Sequence, residues 1–182
     1  MQYFIGIVPP EAYLHEIKEF QKPWAEEGTE PHITVKAQSA LTLDLEWLPK
    51  VEEVCLHTEP FKVSLSHPDF FGESVLFLSV ISEGIYSFHK ALFHKIAPST
   101  ESINQYFELE HYVPHLTLGQ SSHGVSREQL IEMYAKSEKV LSPYPSFVVS
   151  SVRVFRQESI RQKYTKYIDV PLGGTIKENW II

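Results

Sequence analysis

Two short stretches of this chain repeat one another and carry groups that titrate or donate. Pro31-His32-Ile33-Thr34-Val35 returns, with aliphatic exchanges only, as Pro114-His115-Leu116-Thr117-Leu118. Histidine changes charge near neutral pH, so a pair can take a proton from one oxygen and return one to another. A threonine hydroxyl donates to an anionic oxygen and stabilises charge that builds there. Two imidazoles and two hydroxyls around one small ligand therefore suit phosphodiester chemistry. Strand alternation supplies the placement: His32 and Thr34 share a face about 7 Å apart, with Ile33 and Val35 on the other, and His115 and Thr117 repeat this. Each leading proline fits a strand start. By the same alternation Lys36 extends the first motif as a phosphate contact or a solvated strand end. Its counterpart Gly119 has no side chain and allows close approach.

Other chemistries lack their patterns. Nine histidines are present, but there is no HExxH and no cysteine cluster, and His89 and His94 lie about 140° apart on a helix. His111 and His115 share a strand face but stand about 13 Å apart. His15, His57, His67 and His123 belong to no pattern and read as surface residues, so no metal is expected. Cys55, beside Val54 and Leu56, reads as a small buried hydrophobe. No GxGxxG, Walker or GxSxG pattern occurs, so no ATP, NAD or other cofactor is implied.

The elements that must hold the motifs alternate along the chain. Strands are expected at Tyr3 to Val8, Pro31 to Lys36, Phe61 to Ser66, Val75 to Ile81, Val113 to Gly119, Phe147 to Phe155 and Tyr164 to Val170. The third and fourth pair across a turn-rich His67–Gly72 stretch. Helices are expected from Pro10 to Lys22, from Asp44 to Leu56 with Pro49 kinking it or delaying its start, from Glu83 to Ile96, and after Ser126 as N-cap. Mixed strands and helices without linkers argue an α+β unit spanning 1–182 as a single domain.

The 182 residues carry a formal net charge of −7 with one cysteine. That excludes an intrachain disulfide and a protein that coats nucleic acid or an anionic membrane through its overall field. Met1–Val8 has no basic leader and no apolar run nears the roughly 18 residues that span a bilayer. A soluble, cytoplasmic protein is expected. The acidity is uneven: residues 1–91 hold 6 basic and 14 acidic side chains, residues 92–182 hold 10 and 9. Arg153, Arg156, Arg161, Lys163 and Lys166 crowd one strand–turn–strand, either a solvated hairpin or the positive rim of an anion site.

The two HxTx motifs, about 80 residues apart after the strand Tyr3-Phe4-Ile5-Gly6-Ile7, resemble the two-histidine phosphoesterase superfamily. Within it the chain looks most like the bacterial 2′-5′ RNA ligase and RNA 2′,3′-cyclic phosphodiesterase group. The likeness includes the Pro-led helix and the closing stretch from Val152-Arg153-Val154-Phe155-Arg156 to Tyr167-Ile168-Asp169-Val170-Pro171-Leu172-Gly173. It implies a bilobal α+β fold in which two pseudo-symmetric antiparallel-sheet lobes, with helices outside, line a central cleft. It implies that His32 gives a proton to the leaving ribose oxygen, that His115 activates the attacking water or hydroxyl, and that Thr34 and Thr117 bind phosphate. Tyr3, Phe4 and Arg156 are candidate substrate contacts. The Ala37-Gln38-Ser39 that follows Lys36 departs from the aromatic or aliphatic run of RNA-acting relatives. The expected partner is a small phosphorylated nucleotide or an RNA terminus, met by a monomer without a membrane; the activity is cyclic phosphodiester hydrolysis, with ligation or silent binding as alternatives.

Overall fold

The computed structural model describes residues 1–25, 28–160 and 162–174. In chain order the elements are β1 (Gln2–Ile7), α1 (Glu11–Gln21), β2 (Ile33–Lys36), α2 (Leu48–Leu56), β3 (Phe61–Phe71), β4 (Val75–Ile81), α3 (Glu83–Ile96), α4 (Thr100–Tyr106), β5 (His115–Gln120), α5 (Arg127–Val140), β6 (Ser146–Val149), β7 (Ser151–Gln157) and β8 (Thr165–Pro171).

Local chemistry sets these limits. Ser82 caps α3 by accepting from the Ile85 amide, and Ser126 with Gln129 closes a capping box on α5, each cap being worth about 1 kcal/mol. Helix α2 begins later than Asp44, because Pro49 sits in its first turn, where a missing N–H costs nothing. Asp44 instead accepts from Thr42 and from the Glu46 amide in the turn before it. Strand β3 runs through the stretch expected to turn: its register with β4 shifts between Leu65 and Pro68, a bulge where proline owes the ladder no donor. The reversal falls at Gly72, whose φ of +56° suits glycine. The strand expected from Phe147 to Phe155 breaks at Ser150, since β6 pairs with β3 while β7 pairs with β1. Helix α4 has no counterpart in the sequence reading.

All eight strands form one antiparallel sheet in the order β6-β3-β4-β5-β2-β1-β7-β8. The order divides into two four-stranded halves, β6-β3-β4-β5 and β2-β1-β7-β8, each with its motif strand at the inner edge, so that β5 and β2 meet at the centre of the sheet. They meet through a single register pair, Ile33 opposite Leu116. This is the α+β architecture of two pseudo-symmetric lobes. One face of the sheet builds the core: Ile5, Ile7, Ile33, Leu116 and Leu118 pack with Ile17 and Phe20 of α1, Phe88 and Leu92 of α3, and Leu130 and Met133 of α5. Each such side chain contributes about 1.5–3 kcal/mol by leaving water, which holds the motif strands from behind. No helix among the described residues is long and apolar enough to cross a membrane.

Candidate active site

The face opposite the core carries both motifs. Thr34 lies opposite Gly6, and Thr117 opposite Phe77. Continuing the Ile33–Leu116 register across the seam brings His32 level with Thr117 and Thr34 level with His115. Each imidazole thus stands beside the hydroxyl of the other motif, as a two-fold axis through the seam requires. All four side chains are half-buried.

Both rings are held the same way. His32 Nδ1 lies 2.7 Å from the Glu30 carbonyl oxygen and His115 Nδ1 lies 2.8 Å from that of Val113, two residues back in each case. A carbonyl only accepts, so each Nδ1 carries the proton and each Nε2 keeps its lone pair. Aromatic side chains cover the rings. Phe4 lies 4.5 Å and Phe155 5.1 Å from His32 between centroids, and Phe71 and Phe77 lie 4.8 and 5.4 Å from His115. Burial pushes the His32 imidazolium down to about 4; the Glu30 carbonyl opposes this, and the neighbouring His115 adds to it. Burial also lowers His115, against the pull of the Val113 carbonyl. At neutral pH the unliganded pair is uncharged.

The alternation that places Thr34 stops one residue later. Ile5 pairs with Lys36 but Gly6 with Thr34, so Val35 is an extra residue that bulges β2 and turns Lys36 to the core face. There Lys36 is wholly buried. Its Nζ donates to Glu108 Oε1 at 2.6 Å and to Ser39 Oγ at 2.5 Å. That ammonium is consumed inside the protein, which corrects its expected contact with phosphate. The second motif repeats the device: Leu76 pairs with Gly119 and Phe77 with Thr117, so Leu118 is the bulged residue. A β-carbon on Gly119 would come 2.9 Å from Met133 Sδ, so the close approach it permits is that of α5.

The remaining expected contacts divide between the faces. Tyr3 and Arg156 are direct cross-strand partners on the core face. Tyr3 is buried against Trp47, and the Arg156 guanidinium lies over Tyr167 and bonds Glu158. Neither reaches the motif face, where both were expected to meet substrate. Phe4 does lie there, buried under His32 and stacked on Phe155. Within the basic stretch Arg153 is bidentate on Asp169 and also bonds Glu30, and Lys166 bonds Asp169. Arg161 lies outside the described residues. Arg153 has another use, because the Glu30 it grips is the residue whose carbonyl orients His32. A cavity of about 470 Å³ opens beside that pair, lined in part by Lys18, Glu30, Arg153 and Asp169, and contains neither motif.

The sequence reading missed His89, which is buried rather than merely mispaired with His94. It also placed His111 on the strand of His115, whereas His111 lies in a 3₁₀ turn before it. It missed Phe155, Phe71 and Phe77 as well; the register that puts them beside histidines is a long-range property with no local signature. Among the described residues no group of three His, Cys, Asp or Glu side chains is spaced to hold a metal ion.

Known structures share this arrangement of strands. TT0787 of Thermus thermophilus superposes with a TM-score of 0.69 at 17% identity, covering 96% of this chain and 99% of that one. E. coli LigT complexed with phosphate gives 0.59 at 15% identity, and LigT complexed with 3′-AMP gives 0.58 at 17%, each covering 95% of this chain and 98% of that one. No curated protein matches the sequence. The family model described as the 2′-5′ RNA ligase superfamily matches residues 8–161, a span that holds both bulged HxTx strands. The chain belongs to the 2′-5′ RNA ligase superfamily.

Proposed function

We propose that this protein is a metal-independent phosphoesterase that opens a cyclic phosphodiester, the 2′,3′-cyclic phosphate of an RNA end or a nucleotide. The observation that carries the reading is the matched pair of half-buried imidazoles. Each is fixed as the Nδ1–H tautomer by a carbonyl two residues back, which leaves two lone-pair nitrogens for proton transfer. E. coli LigT has been crystallised with phosphate and with 3′-AMP, the second being one of the two phosphomonoesters that opening a 2′,3′-cyclic phosphate can give.

The steps follow from the groups present. An anionic phosphodiester draws a proton onto the His32 imidazole, reversing the effect of its burial. Thr34 and Thr117 donate to the non-bridging oxygens. His115 Nε2 takes a proton from water as its oxygen bonds to phosphorus. The bond from phosphorus to one ribose oxygen breaks, and that oxygen takes the proton from His32. The product is a phosphomonoester, and a proton exchanged with solvent returns His32 and His115 to their starting states. With the 5′-hydroxyl of a second strand in place of water, the same pair joins ends: His115 takes the hydroxyl proton as its oxygen bonds to phosphorus, the bond to the 3′-oxygen breaks, and that oxygen takes the proton from His32, leaving a 2′-5′ linkage, which the family description favours as a second activity.

The test is a panel of nucleoside 2′,3′-cyclic monophosphates and one RNA ending in a cyclic phosphate, assayed in EDTA with and without a 5′-hydroxyl partner. Hydrolysis with a bell-shaped pH profile is expected. His32→Ala and His115→Ala each lower kcat/KM about 10²- to 10⁴-fold. Wild-type activity in both variants, or binding without turnover across the panel, overturns the reading.

A further inference from the structure

The seam between the halves has one register pair, yet four side chains must converge across it. Beyond Ile33 no strand among the described residues pairs with the β5-facing edge of β2, so its backbone carbonyls need other donors. They find them in Tyr112, just ahead of the second motif, and in His89 of α3. Tyr112 donates its hydroxyl to the Thr34 carbonyl at 2.8 Å. His89 Nδ1 donates to the Val35 carbonyl at 2.8 Å, while its Nε2 accepts from the Leu109 amide at 2.9 Å. The two rings stack at 3.9 Å, 11° from parallel. One position further along β2, Lys36 holds Glu108, and Ser39 Oγ donates to the other carboxylate oxygen at 2.7 Å.

Three successive residues of the first motif strand thus hold residues 112, 109 and 108, three to seven positions before His115, the middle link passing through the His89 imidazole. The gripped segment is strained. Phe107 and Leu109 both hold positive φ, 53° and 55°, without being glycine, each at a cost of about 1–3 kcal/mol. Phe107 closes α4 as its left-handed cap, where the Glu108 amide donates to the Ile103 carbonyl at 3.0 Å; Leu109 is held by His89. Phe107 itself is 70% exposed and packs on little, so its left-handed turn is not set by its own side chain.

We propose that Tyr112, with His89 and the Lys36–Glu108 pair, forms a positioning clamp that sets where His115 and Thr117 stand relative to His32 and Thr34. These are positioning residues; none is assigned contact with substrate. The clamp rests on the two-histidine reading above, and its test is built to fail separately from that reading.

Tyr112→Phe keeps the ring stacked on His89 and removes only the donor to Thr34. The expected result is a kcat on a nucleoside 2′,3′-cyclic monophosphate about tenfold lower or more, with KM within about threefold. Carbon–hydrogen NMR titration supplies a readout that a merely structural role leaves alone. Because His115 contributes to the lowering of His32, a displaced His115 moves the His32 titration upward in Y112F, and Y112F adds no further movement in a His115→Ala background. Tyr86→Phe, which alters an exposed neighbour of the same ring, changes neither kcat nor titration. If Y112F does not fold, Glu108→Gln, which keeps an acceptor for Lys36, is read the same way. An unchanged kcat, or a lower kcat with both histidine titrations unmoved, overturns the clamp. If the wild-type protein turns over no cyclic phosphate, the proposed activity fails while the titrations still decide the clamp.

Discussion

At His32 four influences compete: burial, the largest, and His115 lower it, while the carbonyl and the carboxylate of Glu30 raise it. The Phe4 and Phe155 rings that exclude water from one side of the imidazole are the physical means. Phe4→Leu should therefore raise the His32 titration above about 4, at a stability cost of about 1–2 kcal/mol; NMR titration and urea unfolding measure the two effects. Saturating inorganic phosphate should raise it further in the wild-type protein, with proton uptake visible by calorimetry in buffers of differing ionisation enthalpy. His32, Thr34, His115 and Thr117 were legible in the sequence because alternation over two residues places each pair on one face whatever lies beyond. Tyr3 and Arg156 were not, because their positions depend on which face of a distant strand pair they occupy.

Elements explain why Lys36 departs from the two-residue rule. A bulge at the last position of each HxTx unit flips the parity of all that follows, so a side chain in line with the site by counting is delivered to the core. A single-residue bulge leaves no mark in hydrophobic pattern when the residue is Val35 or Leu118, aliphatic and buried either way. The core-facing lysine needs its acid: Lys36→Met should cost about 3–5 kcal/mol by leaving Glu108 buried and unpaired, and the double variant Lys36→Met, Glu108→Leu should recover most of that, as read by denaturant midpoints. In the second half Gly119→Ala should cost about 1–3 kcal/mol, because Met133 and Leu130 must shift on α5. Helices α1, α3 and α5 were readable from apolar spacing and caps. The run of β3 through Pro68 was not, since it depends on a bulge opposite β4.

For the whole molecule, three histidines resist protonation when folded: His32, His89 and His115, each chiefly through burial. The unfolded chain takes those protons below about pH 6.5. Stability present above that pH is therefore lost as the pH falls toward 4. Melting temperature followed from pH 7 to 4 should drop over this window, and phosphate should soften the drop because it favours imidazolium at His32. The route of the chain through the sheet has a consequence of another kind. Strands β3, β4, β5 and β6 lie consecutively in sequence, so one half of the sheet needs only residues 61–149 for its ladders. The other half unites β1 and β2 with β7 and β8, across more than a hundred intervening residues. Loop closure over that span slows its pairing. In pulse-labelled hydrogen exchange during refolding, amides of β3–β5 should gain protection before those of β1 and β7. On the ribosome the strand that presents His115 can find its neighbours while His32 still waits for partners yet to be synthesised, so the two halves of the candidate site are born at different times.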